Sequence, residues 1–267
     1  MRIKITATST KHITIPYNYQ YVLHAAIYRL IQKSSNEYSK FLHDVGFIDG
    51  EKHIKLFTFS KLFFQNHKKT KTGFCDIMQF TFYFSTPVAK SFENLVLGIF
   101  SDQKLTLKFA GQENVFQINH VETLPEIEYS NTMIMKCLSP IVISTGTAEN
   151  FKNKQHFLDY MNTNERNLFI ENLMNNLILK YKILNAKKFA GDRNFEFSFD
   201  PNYIIKKNGR ISKLITFKNN IKIKAMEAPF TITADPKLIK IGYECGFGEK
   251  NSAGFGMAEV IKHKKEK

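Results

Sequence analysis

The residues best suited to chemistry form a glycine-rich segment near the end of the chain, Gly242 to Gly256 (GYECGFGEKNSAGFG). Five of the chain's 13 glycines lie in these fifteen residues. Such a density indicates backbone angles that favour glycine, or the close approach of another backbone. Bare backbone amides beside Lys250 and Ser252 would suit a phosphate or the edge of a nucleotide. A tight turn packed against a sheet explains the same residues equally well.

Several common motifs are excluded by spacing. The segment lacks the GxxxxGK[ST] pattern of a Walker loop, and no strand–loop–helix unit follows it as a dinucleotide site requires. The three cysteines, Cys75, Cys137 and Cys245, show no CxxC spacing, so we expect no zinc knuckle and no metal or other cofactor. A sparse, odd set of cysteines suits a reducing cytoplasm.

The first half of the chain predicts the order strand, helix, strand, strand, helix, strand. Arg2 to Ala7 alternate as in a strand, and Leu23, Ile27, Leu30 and Ile31 have helical spacing. A second short helix carries Tyr38 to Val45 and ends at Gly46. The remaining elements are strands at Ile54 to Leu62, Cys75 to Phe84, Leu105 to Phe109 and Val115 to Val121, and a helix from Pro87 to Phe100.

The second half repeats this order after a boundary at Leu124-Pro125-Glu126. Its predicted elements are a strand at Thr132 to Leu138, a helix at Asn164 to Leu184, strands at Asn194 to Phe199 and Leu214 to Ala225 with Asn208-Gly209 at a turn, a further strand at Pro229 to Thr233, a short helix or turn at Pro236 to Gly242, and a closing strand at Gly256 to Ile261. The order predicts an α+β protein of two tandem ferredoxin-like (RRM-like) βαββαβ domains, residues 1–123 and 124–267, with a C-terminal glycine-rich loop.

Charge points to a polyanionic partner. Lys and Arg number 38 and Asp and Glu 24, a formal net charge of +14, and the sequence pI is about 9.5. Basic proteins bind nucleic acid by neutralising phosphates and releasing their counterions. The chain is also rich in Lys, Asn and Ile, so part of the excess can reflect an AT-rich genome. The amino terminus has no signal-peptide pattern and no apolar run is long enough for a membrane span, so we expect a cytoplasmic protein.

Several stretches together resemble one protein family. They are the glycine-rich segment, Pro16-Tyr17-Asn18-Tyr19-Gln20-Tyr21 leading into Ile27-Tyr28, Leu42-His43-Asp44-Val45 followed by Lys55-Leu56-Phe57-Thr58-Phe59-Ser60, and Leu138-Ser139-Pro140-Ile141. The glycine-rich loop is similar to that of the repeat-associated mysterious protein superfamily. The other stretches resemble its CRISPR-associated pre-crRNA-processing endoribonucleases, the Cas-six family.

The resemblance implies a reaction and three catalytic residues. Members of the family cleave CRISPR repeat RNA without a metal: the ribose 2′-OH attacks the adjacent phosphate, leaving a 2′,3′-cyclic phosphate and a 5′-OH. A base, an acid and a cation are needed, and in archaeal members a Tyr, a His and a Lys supply them. These correspond to Tyr28, His43 and Lys55. Tyr28 follows Ile27 and His43 follows Leu42 in helical patterns, so each can be anchored beside a core residue and remain accessible.

Other interpretations of these residues stay open. His24, one turn before Tyr28, could be the working imidazole, and Lys52 or His53 flanks the position assigned to Lys55. Tyr28 could be a half-buried helix residue, and His43 a histidine favoured by a helix end.

The resemblance also implies an RNA-binding surface and partners. The residues concerned are Gly246, Gly248, Lys250, Asn251, Ser252, Gly254 and Gly256 of the loop, with Lys206, Lys207, Arg210 and Lys213 as phosphate contacts. The expected partners are the precursor transcript with its CRISPR repeats, a CRISPR effector complex, and a second copy of the chain, since some members dimerise. The alternatives are a non-catalytic relative that binds repeat RNA and a ferredoxin-like scaffold protein with no more than weak, non-specific attraction to RNA.

Overall fold

Strand β1 (Arg2–Pro16) opens the chain with side chains that alternate in burial. In the computed structural model, which describes residues 1–109, 111–145, 156–218 and 221–261, Ile3, Ile5 and Ala7 are buried. Successive side chains of a strand point to opposite faces, so the alternation gives β1 one apolar face. The strand pairs antiparallel with β7 (Gly73–Ser85) on one side and β9 (Gln112–Thr123) on the other.

Two compact units make up the chain. The first contains Met1–Glu126, Thr216–Ile221 and Ser252–Gly254. The second contains Ile127–Ile215, Lys222–Asn251 and Phe255–Lys267. The division into independent domains, residues 1–123 and 124–267, stays a prediction.

The sheet of the first unit has the order β4-β7-β1-β9-β8. The shorter strands of this sheet are β4 (Thr58–Phe59), β5 (Phe63–Phe64), β6 (Lys68–Lys69) and β8 (Lys104–Phe109). Because β5 and β6 also pair with β7, three short segments occupy the place of one strand. Helices α1 (Gln20–Ser34), α2 (Asn36–Lys40) and α3 (Ala89–Asp102) lie between strands in the chain.

Helices α1 and α3 share one core with the sheet. Leu23 and Ile27 of α1 and Leu95 of α3 belong to the same buried cluster as Ile3 and Ile5. The two helices approach closely at Gly98, where an added Cβ would lie 1.8 Å from the carbonyl oxygen of Leu30. The apolar spacing that predicted α1 is therefore confirmed.

The second short helix is confirmed in place but differs in form. Ser35 caps α2 by accepting a hydrogen bond from the Tyr38 amide at 3.1 Å. The chain then widens into a π-helical turn, Phe41–Val45, which ends at Gly46 with a φ of +67°. Single π-turns of this kind are common at functional sites.

The predicted strand from Ile54 to Leu62 is wrong. The chain instead forms a small hairpin of β2 (Phe47–Asp49) and β3 (Lys52–Ile54), then the two-residue β4. Leu56 lies between them with a φ of +51°, a left-handed conformation that interrupts an extended strand. The apolar residues that suggested the strand are buried all the same, as Leu56, Phe57 and Phe59 show.

The second unit has a sheet of order β11-β14-β10-β15. Its strands and main helices are β10 (Thr132–Cys137), α4 (Thr163–Asn185), β11 (Glu196–Phe199), β14 (Phe230–Thr233), α6 (Pro236–Cys245) and β15 (Ala258–Val260). Numbered within the unit, this order is 2-3-1-4. The first unit has the same order when β4, β7, β1 and β9 are taken as its strands 2, 3, 1 and 4, and β8 is an additional strand beside β9. Both units are thus ferredoxin-like, which confirms the predicted α+β class.

The predicted sheet strand at Leu214 to Ala225 is wrong. Its residues form β12 (Ser212–Thr216) and β13 (Lys222–Met226), a separate two-stranded sheet, while β14 takes the central position. The turn at Asn208 and Gly209 follows the short helix α5 (Pro201–Lys206) rather than joining paired strands: the Gly209 amide donates to the Ile204 carbonyl at 2.9 Å.

Within the described part of the chain, no helix combines the length and apolar character needed to cross a membrane.

Candidate active site

Helix α1 carries two side chains that face each other one turn apart. His24 and Tyr28 are separated by four residues, the spacing that brings side chains together on a helix surface, and their ring centroids lie 4.7 Å apart. Both are half-buried, beside the core residues Leu23 and Ile27. The helix therefore holds an imidazole and a phenol together at the margin of the core.

The π-helical turn brings a second imidazole to the same place. Leu42 is buried whereas His43 beside it is exposed, with 71% of its side-chain surface accessible. The His43 Nδ1 lies 2.7 Å from the Asp44 Oδ1, and the His43 ring meets the Tyr28 ring edge-on at 6.1 Å. The Tyr28 ring is thus close to two imidazoles, one from α1 and one from the π-helical turn.

Lys55, which directly follows the β2–β3 hairpin, contacts the same turn. Its Nζ donates a hydrogen bond to the His43 carbonyl at 3.1 Å. Its aliphatic part passes over Gly46, where an added Cβ would lie 2.8 Å from the Lys55 Cδ. Partial burial lowers the pKa of Lys55, and the Asp44 carboxylate opposes that effect.

The tip of the glycine-rich segment completes the cluster, because Ser252–Gly254 belongs to the first unit. The His24 Nδ1 donates to the Ser252 carbonyl at 2.7 Å, and the Ser252 side chain hydrogen-bonds Tyr28. The Gln20 amide donates to the Gly254 carbonyl. A Cβ on Gly254, whose φ is +86°, would lie 2.5 Å from the Phe59 ring, so only glycine fits there.

Burial sets the protonation of the two α1 side chains. Burial lowers the pKa of His24 below its ordinary value of 6.5. The hydrogen bond to the Ser252 carbonyl raises this pKa in part, whereas His43 and Lys218 lower it further. Burial also raises the pKa of Tyr28 far above its ordinary value, partly offset by the bond to Ser252. Near neutral pH, His24 is therefore an uncharged imidazole and Tyr28 an uncharged phenol.

Two further rings border His24. Phe217 lies 5.9 Å from the His24 ring and 5.2 Å from the Tyr21 ring, and the Lys218 Nζ lies 5.8 Å from the centre of Tyr21. They help to enclose His24, in agreement with its burial.

The predicted catalytic residues Tyr28, His43 and Lys55 come together, with Ser252 beside them. His24 was only an open alternative in the sequence, yet it is as close to Tyr28 as any of them. Its spacing of four residues from Tyr28 on a predicted helix is the signal that identifies it. Lys52 and His53, the alternatives at the position of Lys55, are both exposed in β3, where Lys52 lies opposite Asp49 in the strand register.

The other predicted loop residues lie in the second unit, around a buried lysine that sequence reasoning missed. Lys180 of α4 donates from Nζ to the carbonyls of Gly246 and Gly248, both at 2.6 Å, and to the Asn251 Oδ1 at 2.7 Å. Burial lowers its pKa to about 7, whereas three acceptors match the three donors of an ammonium. We infer from this geometry that Lys180 carries a charge that the loop carbonyls stabilise.

The expectation of bare backbone amides is wrong for two of the glycines. The Gly246 amide donates to the Gly242 carbonyl at 2.9 Å, and the Gly256 amide donates to the Pro140 carbonyl at 2.7 Å. Asn251 is buried and also donates to the Phe255 carbonyl at 3.0 Å. Lys250 remains half-buried with its Nζ 5.6 Å from the centre of the Phe157 ring. A role of these residues in RNA binding stays a prediction.

The predicted phosphate contacts form an exposed basic group in the second unit. They are Lys206, Lys207, Arg210 and Lys213, all exposed and all within or between α5 and β12. Their charges are available to a polyanion, although RNA contact by any of them stays a prediction.

Metal-binding side chains do not cluster in the described ranges, where no three His, Cys, Asp or Glu residues lie close enough to share an ion.

Sequence models of one family match nearly the whole chain. The model described as "CRISPR-associated protein Cas6, N-terminal" matches residues 14–121, and that described as "CRISPR associated protein Cas6, C-terminal" matches residues 122–260.

Individual proteins agree with the family models. "CRISPR-associated endoribonuclease Cas6 1" of Methanocaldococcus jannaschii is 35% identical over 273 residues, spanning 100% of this chain and 95% of that protein. "CRISPR-associated endoribonuclease Cas6" of Pyrococcus furiosus is 29% identical over 255 residues, which span 95% of this chain and 86% of that protein. A solved structure titled "CRISPR associated protein Cas6" superposes with a TM-score of 0.75 at 34% identity, covering 98% of this chain and 99% of that one.

Proposed function

The chain belongs to the Cas6 family of CRISPR-associated proteins, and from that membership we propose that it is an endoribonuclease that cleaves CRISPR repeat RNA in the precursor transcript to produce guide RNAs. The relatives named above are called endoribonucleases, which supports an RNA nuclease. The proposed reaction is a metal-independent transesterification, in which the 2′-OH attacks the adjacent phosphate.

One observation carries the proposal: Tyr28, His43 and Lys55 meet although they belong to three separate segments. The Tyr28 and His43 rings lie 6.1 Å apart, and the Lys55 Nζ lies 3.1 Å from the His43 carbonyl. Nothing in the core requires an exposed histidine to be held beside a half-buried tyrosine and a lysine. Cleavage by a 2′-OH needs a base for the 2′-proton, an acid for the 5′-oxygen and a cation for the phosphate charge, and these three side chains have the types that such a site uses.

The chemistry of each side chain suggests its role. The Asp44 carboxylate can only accept a hydrogen bond, so His43 carries a proton on Nδ1 and presents Nε2 to solvent and to the 5′-oxygen of the substrate. The uncharged Tyr28 hydroxyl orients the 2′-OH. The Lys55 ammonium has three donors, and the bond to the His43 carbonyl leaves two that can stabilise charge on the phosphate.

A cleavage assay with purified protein and end-labelled repeat RNA in EDTA tests this function. We expect one cut that EDTA does not prevent and that a 2′-deoxy substitution at the cut site abolishes, with 2′,3′-cyclic phosphate and 5′-OH ends. Tight binding of the same RNA without any cut would instead favour a non-catalytic relative. If the cognate repeat is neither bound nor cut, the proposed function is wrong.

Partners and location follow from the substrate. We propose that the enzyme acts in the cytoplasm, where the transcript is made. The cleaved RNA then joins an effector complex, either with the enzyme still bound or after its release. Formation of a homodimer is part of the same proposal. Sedimentation of the protein with and without repeat RNA measures its oligomeric state directly.

A further inference from the structure

His24 is held so that one ring nitrogen is left to act as a base. Its Nδ1 lies 2.7 Å from the Ser252 carbonyl. A carbonyl oxygen only accepts hydrogen bonds, so Nδ1 must carry the proton. In an uncharged imidazole the other nitrogen, Nε2, then has a lone pair and can take a proton.

Tyr28 is a poor candidate for that task. Its hydroxyl shares a hydrogen bond with the Ser252 side chain, and its ring is packed between the rings of His24, His43 and Phe57. Burial disfavours a phenolate, because the charged form loses its hydration. The hydroxyl therefore suits an orienting role, and another group must remove the proton from the nucleophile.

His43 is oriented in the same way but in a different environment. Its Nδ1 lies 2.7 Å from the Asp44 Oδ1, its ring is exposed, and that ring meets the Tyr28 ring edge-on at 6.1 Å. Two imidazoles with anchored Nδ1 atoms therefore lie close to one tyrosine, one of them enclosed and the other exposed.

We propose that His24 is a further catalytic residue and acts as the general base, while His43 acts as the general acid, an assignment that rests on the proposed function. The His24 Nε2 takes the proton of the 2′-OH as the 2′-oxygen forms its bond to phosphorus. The bond from phosphorus to the 5′-oxygen breaks, and the His43 Nε2 gives its proton to that oxygen. One proton is gained and one lost, and exchange with water restores both rings.

The surroundings of His24 favour the uncharged ring. The titratable and charged groups near it are Tyr21 and Tyr28 on its own helix, His43 on the π-helical turn and Lys218. Burial lowers the pKa of His24, and His43 and Lys218 lower it further. The Ser252 carbonyl opposes this shift, but the same bond fixes which nitrogen remains available.

The first test separates proton transfer from loop positioning. In His24→Asn the side-chain amide can still donate to the Ser252 carbonyl but cannot take a proton, whereas His24→Ala loses both. A catalytic base predicts that both variants cleave about 10²- to 10⁴-fold more slowly than the native protein. Both should bind 2′-deoxy repeat RNA with nearly native affinity. Near-native cleavage by His24→Asn would show a positioning role and overturn the proposal.

The second test distinguishes base from acid. A substrate with sulfur in place of the bridging 5′-oxygen has a leaving group that needs no proton donor. It should restore cleavage to His43→Ala and leave His24→Asn slow. Rescue of His24→Asn, or failure to rescue His43→Ala, would overturn the assignment.

The native protein provides the same distinction without a substitution. Its rate on the natural substrate should rise and then fall with pH, as an acid and a base together require. On the 5′-sulfur substrate only the rise, which reports the base, should remain. A profile without the rise contradicts a histidine base. These tests presuppose that the native protein cuts repeat RNA, so failure of the proposed function itself appears as a native protein that does not cut.

Discussion

At the scale of single residues, the cluster is organised by what each nitrogen and oxygen can donate or accept. The His43–Asp44 pair is exposed on both sides, with 71% and 65% of the side chains accessible, so it contributes at most about 1 kcal/mol to stability. Its value is orientation: a fixed Nδ1 bond directs Nε2 outward. The Nδ1 of His24 is fixed in the same way by its hydrogen bond to the Ser252 carbonyl.

Replacing the exposed histidine should affect chemistry rather than binding. We expect His43→Ala to slow cleavage of repeat RNA by about 10²- to 10⁴-fold, because it removes a proton donor. Affinity for the 2′-deoxy repeat should change little, since one exposed side chain is lost. Single-turnover rates and filter binding measure the two quantities. Equal losses of rate and affinity would count against an acid–base role, and His120→Ala, which replaces an exposed histidine of β9, is the matched control.

The half-buried His24 should also make stability depend on pH. Because the folded pKa of His24 lies below 6.5, the unfolded chain takes up this proton first as the pH falls through that value. The stabilising contribution is complete above 6.5 and decreases toward the lowered folded pKa. Urea denaturation at about pH 7.5 and about pH 5.5 should show a smaller loss for His24→Asn than for the native protein. An identical loss in both proteins would contradict the burial of the imidazole.

At the scale of elements, two short segments place side chains and backbone groups beside His24 and Tyr28 of α1. The π-helical turn Phe41–Val45 directs His43 outward while keeping Leu42 buried. The segment Ser252–Gly254 supplies a carbonyl to His24 and a side chain to Tyr28. Its conformation depends on the absence of a side chain at Gly254.

A matched pair of glycines tests that dependence. Gly254 and Gly111 both have positive φ, +86° and +80°, but a Cβ at Gly254 would meet Phe59, whereas among described atoms none lies within 4 Å at Gly111. Gly111→Ala should cost about 1 kcal/mol of unfolding free energy for the backbone alone. Gly254→Ala should cost about 1–3 kcal/mol more, for overpacking. Equal costs, measured by urea denaturation, would show that the Phe59 contact is unimportant.

At the scale of the whole molecule, charge and architecture point to the same partner. A net charge of +14 on a chain with two ferredoxin-like units favours a long polyanion over a small substrate. The exposed group of Lys206, Lys207, Arg210 and Lys213 lies outside the unit that holds the histidines. Binding and cleavage should therefore be separable by substitution.

Neutralising that group should weaken binding in a salt-dependent way. Each phosphate contact that is lost reduces the slope of log affinity against log salt by about 1, so replacing all four with Gln should reduce the slope by at least about 2. The cleavage rate at saturating protein should stay near the native value. A variant with Gln at four other exposed lysines, Lys11, Lys90, Lys237 and Lys240, has the same net charge and serves as the control. If both variants lose the same slope, the group has no special contact with RNA.

Sequence by itself determined the class of fold and most of the helices, because burial of one face imposes a period that can be read directly, as in Leu23, Ile27 and Leu30. Resemblance added Tyr28, His43 and Lys55 as the candidate site. Only the tertiary structure brought them together, admitted His24 through its bond to Ser252, and revealed Lys180 inside the loop. The contacts of His24 with Ser252 and of Lys180 with Gly246 join residues more than sixty positions apart, and no local period records them. The positive φ at Leu56, which ended a predicted strand, is decided in the same way by packing rather than by propensity.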